Sequence, residues 1–128
     1  KPYTGNETIL LVDDDALIVD VAQAMLTALG YHVMTAYSGT QAVAIFRERG
    51  PAIALVILDM IMPDMSGGRT FDALKAIDPL VKVLLASGYS INGQATEIMA
   101  RGCNGFIQKP FDLQGLSKKV REIIDADR

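Results

Sequence analysis

A continuous apolar run from Ile53 to Leu58 ends abruptly on Asp59. The run is too short for a typical helix and rich in β-branched residues, so it reads as a strand buried on both faces, as parallel sheets require. A carboxylate at its end cannot lie unpaired in the interior, because taking a lone charge out of water is costly. Asp59 is therefore expected at the open edge of the sheet with cationic partners. In open parallel sheets that edge, outside the carboxyl ends of the strands, is where ligands bind.

The rest of the chain alternates in the same way. Residues 1–7 are polar, carry Pro2 and Gly5, and read as a flexible lead-in to a single domain over residues 8–128. Thr8 to Val12 reads as a strand running straight into Asp13-Asp14-Asp15. Beyond it Leu17, Val21, Ala24 and Ala28 recur at helical spacing, with Asp15 as cap and Gly30 as stop. A second strand spans Tyr31 to Tyr37. Ser38 with Gln41 three residues later is a capping box, opening a helix that Gly50-Pro51 ends. Phe71, Leu74 and Ile77 mark a helix that must end before Asp78-Pro79, since the residue before proline avoids helical geometry. Val81 to Ala86 is a fourth strand, Asn92 to Arg101 a helix, and Gly105 to Gln108 a fifth strand ending at Lys109-Pro110. Asp112 caps a last helix with Leu113, Leu116, Val120 and Ile123 in one stripe. Five strands alternating with five helices predict a parallel α/β sheet covered on both faces.

At 128 residues the chain is long enough for one domain. No stretch approaches the ~20 apolar residues of a membrane span, and no signal-peptide pattern is present, so no direct membrane contact is expected. The chain starts on Lys1 rather than Met, which fits a piece of a longer protein. The single Cys103 cannot form an internal disulfide, in keeping with a reducing cytoplasm, and reads as a core filler. The net charge of −3 without a basic cluster gives no footprint for nucleic acid. His32 is the only histidine and reads as a solvated strand residue, which excludes a histidine-rich zinc site and a Ser-His-Asp triad within this chain.

If all strands point the same way, their ends bring Asp13, Asp14, Asp59, Ser87 and Lys109 to one edge. Carboxylates so gathered repel one another unless a cation sits among them. A hard divalent ion such as Mg²⁺ suits oxygen ligands and takes one or two carboxylates plus phosphate oxygens. Lys109 offers a compact positive charge and Ser87 a hydroxyl. A metal, an ammonium and a hydroxyl around a carboxylate are what phosphoryl transfer needs, because its catalysis is mostly positioning and charge neutralisation.

Four segments resemble the receiver domains of two-component response regulators. They are Ile9-Leu10-Leu11-Val12-Asp13-Asp14-Asp15, Leu58-Asp59-Met60-Ile61-Met62-Pro63-Asp64-Met65-Ser66-Gly67, Ala86-Ser87-Gly88 and Gly105-Phe106-Ile107-Gln108-Lys109-Pro110-Phe111. The resemblance implies a flavodoxin-like (βα)5 fold with strand order 2-1-3-4-5 and a cis Lys109-Pro110 bond. It implies a signalling domain, not an enzyme in the ordinary sense, in which Asp59 accepts a phosphoryl group from a sensor histidine kinase or a histidine phosphotransfer protein. Asp14 would bind Mg²⁺ directly, Asp13 through water, and the Ile61 backbone carbonyl would be a further ligand. Lys109 and Ser87 would hold phosphoryl oxygens. Ser87 moving inward would free space for the ring of Phe106, a position where many relatives carry Tyr, and so reshape the face of the last two helices. A homodimer through that face is one assembly the family allows. Ile61 and Tyr89 would flank the phosphoryl group and modulate water access.

Three rivals are weaker. Haloacid-dehalogenase-like phosphatases carry an Asp two residues after the nucleophile, whereas Ile61 stands there. A flavin module would want a phosphate-cradling first loop, and Asp13-Asp14-Asp15 repels phosphate. The alternative of a degenerate receiver acting only as a protein-interaction module predicts a missing Asp or Lys, and none is missing. Gly5 to Leu10 and Ser87 to Ser90 resemble receivers attached to hybrid sensor kinases; a stand-alone relay regulator is the other reading.

Overall fold

The computed structural model describes residues 1–126, so the expected domain over 8–128 runs two residues past them. Its elements follow in strict alternation: β1 (Thr8–Val12), α1 (Ala16–Ala28), β2 (His32–Ala36), α2 (Gly39–Arg49), a short 3-10 turn (Gly50–Ala52), β3 (Ile53–Asp59), α3 (Gly67–Ile77), β4 (Val83–Ser87), α4 (Gly93–Ala100), β5 (Gly105–Gln108) and α5 (Leu113–Asp125). The strands form one parallel sheet in the order β2-β1-β3-β4-β5, the flavodoxin-like arrangement.

Inside each apolar run, successive residues serve opposite faces of the sheet. Leu10, Val12, Val56, Leu58, Val83 and Leu85 pack with Phe46, Phe71, Leu74, Ala95 and Ile98 under α2, α3 and α4. Ile9, Leu11, Leu55, Ile57 and Leu84 pack with Val19, Leu26, Leu116, Val120 and Ile123 under α1 and α5. Both faces are therefore sealed, and polar chemistry is confined to the ends of the strands.

The caps form as the sequence dictates. Asp15 accepts from the amide of Leu17, Ser38 from Gln41, Asn92 from Ala95 and Asp112 from Gly115. The Gln41 side chain reaches one residue further back than a capping box predicts, accepting from the amide of Tyr37 at 2.8 Å. Strand β4 lies displaced toward the acidic edge relative to the expected Val81–Ala86, and so takes in Ser87. The buried Lys82 just before it is engaged elsewhere: its Nζ donates to the carbonyls of Ile124 and Ala126 at 2.7 and 2.8 Å.

Helix α1 is turned the other way from the expected stripe. Val19, Ala22 and Leu26 face the sheet, while Leu17 and Val21 are 71% and 48% exposed and Ala24 and Ala28 are exposed as well. Both sets satisfy helical spacing, because the helix is apolar almost all round apart from Asp20, Gln23 and Thr27. Tertiary packing decides the matter, with Val19, Ala22 and Leu26 entering the core beside Ile9 and Leu11 of β1.

Residues 1–7 also depart from the picture of a free lead-in. The amide of Gly5 donates to Leu29 O at 3.0 Å and that of Tyr3 to Ser117 Oγ at 3.3 Å. Glu7 forms an ion pair of 2.8 Å with Arg121, which also donates to Tyr31 and pairs with Asp125. Polar composition suggested a loose end, but the partners lie on α5 and on the turn after α1, far away in sequence.

Two outcomes follow from this packing. Leu26→Ala should cost about 2 to 5 kcal/mol in denaturant unfolding, the usual range for a buried leucine, and Leu17→Ala should stay within about 0.5 kcal/mol. The Arg121 partner holds the Glu7 pKa below its ordinary value, so the pair's stabilisation is complete at neutral pH and is lost on acidification through the folded-state pKa. Unfolding free energies of wild type and Glu7→Gln should therefore differ by about 1 kcal/mol at pH 7 and converge as the pH falls below the ordinary glutamate range.

Candidate functional site

Each strand of the central sheet delivers its last residue to one edge. β1 ends at Val12 and places Asp13 next, whose amide donates to Ala36 O at the end of β2. β3 ends on Asp59 itself, opposite Ala86 in β4, and the amide of Met60 continues the ladder to Ala86 O at 2.9 Å. Ser87 ends β4 and lies opposite Gln108 in β5; its carbonyl accepts from the amide of Lys109 at 2.7 Å. The Lys109-Pro110 peptide bond that follows is cis.

Lys109 reaches back across the sheet edge. Its Nζ lies 2.9 Å from Asp13 Oδ2 and 2.9 Å from Asp59 Oδ1, with the three side chains largely withdrawn from solvent. Carboxylate oxygens of Asp13, Asp14 and Asp59 all lie within 4.8 Å of one another. Asp14 is the exposed member and Asp13 and Asp59 are buried. The other Asp13 oxygen accepts from the amide of Asp15 at 3.0 Å, which orients the carboxylate. Among the described residues no protein donor is hydrogen-bonded to Asp59 Oδ2.

Three carboxylates thus face one ammonium. Burial pushes the pKa of Asp59 up, the hydrogen bond from Lys109 pulls it down, and the charge of Asp13 pushes it up again; the net direction is upward. Burial works against the Lys109 ammonium, but its bonds to Asp59 and Asp13 prevail and raise its pKa. The donor set is all oxygen, acidic and only partly neutralised, the chemistry that a hard divalent cation fits.

Of the other residues singled out from the sequence, Ser87, Ile61 and Tyr89 lie by this cluster, whereas Cys103 and His32 lie at the opposite ends of β5 and β2. The Ser87 hydroxyl accepts from the amide of Tyr89 at 3.1 Å. Ile61 and Tyr89 are 57% and 66% exposed at the rim. Phe106 is half-buried and packs against the core under α3 and α4, beside Leu85. Cys103 is buried, its thiol pKa raised by burial, and His32 is exposed.

Two features escaped the sequence. Asp64 accepts from the amides of Gly39 and Thr40 at the start of α2, at 3.2 and 3.0 Å, and so ties the loop after Asp59 to another element. Leu17, Ile18 and Val21 of α1 line an apolar groove with Gly88, Lys109, Pro110 and Phe111. Nothing in the sequence singled out the first, since no α-helix among the described residues has an acidic residue in its first turn.

The family model "Response regulator receiver domain" matches residues 9–121. The sensor kinase CckA of Brucella abortus is 33% identical over 95% of this chain, and the transcriptional regulatory protein ZraR of Escherichia coli is 34% identical over 93%. This chain spans only 13% and 26% of the length of those two relatives. Among solved structures, a response regulator receiver domain protein of Clostridium thermocellum matches with a TM-score of 0.88 and 32% identity, covering 93% of this chain and 94% of that one. The CheX-CheY-BeF3-Mg²⁺ complex of Borrelia burgdorferi matches with a TM-score of 0.87 and 26% identity, covering 91% and 88%. Among the described residues no helix is long and apolar enough to cross a membrane. With sheet order, carboxylate cluster and family model in agreement along nearly its whole length, the chain belongs to the response regulator receiver domains, the signalling domains of two-component systems.

Proposed function

We propose that Asp59 is a phosphoacceptor, taking a phosphoryl group from a phosphohistidine on a sensor kinase or histidine phosphotransfer protein. The observation that carries this reading is the Lys109 ammonium at 2.9 Å from Asp59 Oδ1, which leaves Oδ2 without a protein donor and free to attack. As an Asp59 oxygen bonds to phosphorus, the bond from phosphorus to the donor imidazole nitrogen breaks. The imidazole leaves with that electron pair, and an acyl phosphate remains on Asp59. Lys109 balances charge on the oxygens of the moving group, and the Ser87 hydroxyl, whose oxygen accepts from the Tyr89 amide, keeps its own hydrogen to donate to one of them.

Asp14, Asp59 and the Ile61 carbonyl would hold Mg²⁺, with Asp13 acting through water. When bound, the ion supplies neutralisation of negative charge on the transferring group. The open set of carboxylates supports this, as does the Mg²⁺ named in the similar Borrelia burgdorferi complex. The complete set of Asp13, Asp14, Asp59 and Lys109 speaks against a degenerate module that only binds partners.

The apolar groove of Leu17, Ile18, Val21, Pro110 and Phe111 is the docking surface for the donor in this reading. Lys109 lines the groove and also touches Asp59, so a helical donor seated there has its phosphohistidine next to the acceptor. An apolar helix face this exposed is poorly accounted for by folding alone. Movement of Ser87 would let the Phe106 ring turn inward and change the surface of α4, β5 and α5, biasing a partner that prefers one shape.

Incubation with acetyl phosphate and Mg²⁺ should add one phosphoryl group by intact mass, lost in Asp59→Asn and lost with chelator; labelling that survives Asp59→Asn would overturn the assignment. Leu17→Asp should slow transfer from a phosphorylated histidine phosphotransfer protein by about tenfold or more, the size of a central interface residue, and leave labelling by acetyl phosphate unchanged.

A further inference from the structure

The loop between β3 and α3, residues 60–66, carries the backbone that follows Asp59 and includes Ile61. It is fixed at both ends. The amide of Met60 is held by Ala86 O, and the carbonyl of Met60 accepts from the amide of Gly67 at 2.8 Å. Between these points the side chain of Met62 is buried, whereas Asp64 is exposed yet makes three hydrogen bonds.

Those three bonds complete the start of α2. Of its leading amides, Gln41 is taken by Ser38 Oγ and Ala42 by Ser38 O. The two remaining, Gly39 and Thr40, donate to Asp64 Oδ1 and Oδ2. The Thr40 hydroxyl adds a bond of 2.8 Å to Oδ2. A helix start leaves such amides without internal partners and carries partial positive charge, so a carboxylate from another element is held firmly there. Gly39 permits the approach: a Cβ there would fall 2.8 Å from Met65 Cβ and 2.4 Å from Thr70 Oγ1.

We infer that Asp64 is a positioning residue for the cation site: by clasping the loop to the start of α2 it fixes where the Ile61 carbonyl points. This rests on the reading of Asp59, Asp14 and Ile61 given above. Asp64 is not one of the three clustered carboxylates, so its influence passes to Ile61 along the backbone of Met62 and Pro63. Without Asp64 the seven-residue loop would be held only at its ends and by the buried Met62 side chain; it would sample more carbonyl directions, and a cation that demands near-ideal geometry would bind correspondingly less well.

The test is Mg²⁺ affinity by calorimetry, on wild type, Asp64→Ala, Asp64→Asn and Thr40→Val, beside thermal midpoints and amide exchange of residues 60–66. Asp64→Ala should weaken Mg²⁺ binding by about tenfold to a hundredfold, the usual effect of removing a partner behind a metal ligand, and should speed exchange in the loop. Asp64→Asn, which keeps one acceptor, should recover part of the affinity, and Thr40→Val should show a smaller loss. At saturating Mg²⁺ the labelling rate of Asp64→Ala with acetyl phosphate should return to near the wild-type value, which separates cation positioning from damage to the reaction. Unchanged Mg²⁺ affinity in folded Asp64→Ala overturns the inference. If that variant does not fold, unchanged affinity in both Asp64→Asn and Thr40→Val does so. Wild-type protein that binds Mg²⁺ but is not labelled on Asp59 overturns the phosphoacceptor reading alone, and wild-type protein that binds no Mg²⁺ overturns both.

Discussion

The Lys109 ammonium, held between Asp13 and Asp59, joins the ends of three strands, of which β5 shares no backbone ladder with the other two. Asp13 follows β1, Asp59 ends β3 and Lys109 follows β5, so one side chain spans the whole width of the acidic edge. Two buried carboxylates in this position would each be costly without it, and the ammonium would be costly without them. Removing Lys109 leaves both buried carboxylates uncompensated, whereas removing either aspartate leaves a balanced pair, so the ammonium is the member the other two depend on.

The position of this cluster follows from the sheet. Helices cover both of its faces, and Ile9 to Val12, Leu55 to Leu58 and Val83 to Ala86 contribute apolar side chains to each side. A polar group of reactive character has no place on such faces. The ends of the strands are left, and the order β2-β1-β3-β4-β5 puts β1 and β3 side by side where the chain reverses its direction of winding. Asp13, Asp14 and Asp59 meet because those two strands are neighbours.

The fold and this cluster were readable because they depend on local, redundant signals. A β-branched apolar run ending on Asp59, a strand ending on acidic residues, and Lys109 before a proline each fix a strand end, and parallel pairing does the rest. The orientation of α1 was not readable in the same way. Leu17, Val21, Ala24 and Ala28 fit helical period as well as Val19, Ala22 and Leu26 do, and only tertiary packing chooses between them. Long-range side-chain partners were equally hidden: Glu7 with Arg121, Asp64 with Gly39 and Thr40, and Lys82 with the end of α5 join positions from 24 to 114 residues apart. Periodicity carries no information on such pairs.

The tie made by Lys82 has a mechanical side. Helix α5 runs antiparallel to the strands, so its last turn lies at the foot of the sheet, where Lys82 grips the carbonyls of Ile124 and Ala126. Its first turn lies at the opposite end, just past Lys109 and Pro110. Between those two ends Leu116, Val120 and Ile123 bed the helix on the sheet, so α5 is held along its length and the Lys82 clasp acts as an end stop against sliding along its own axis.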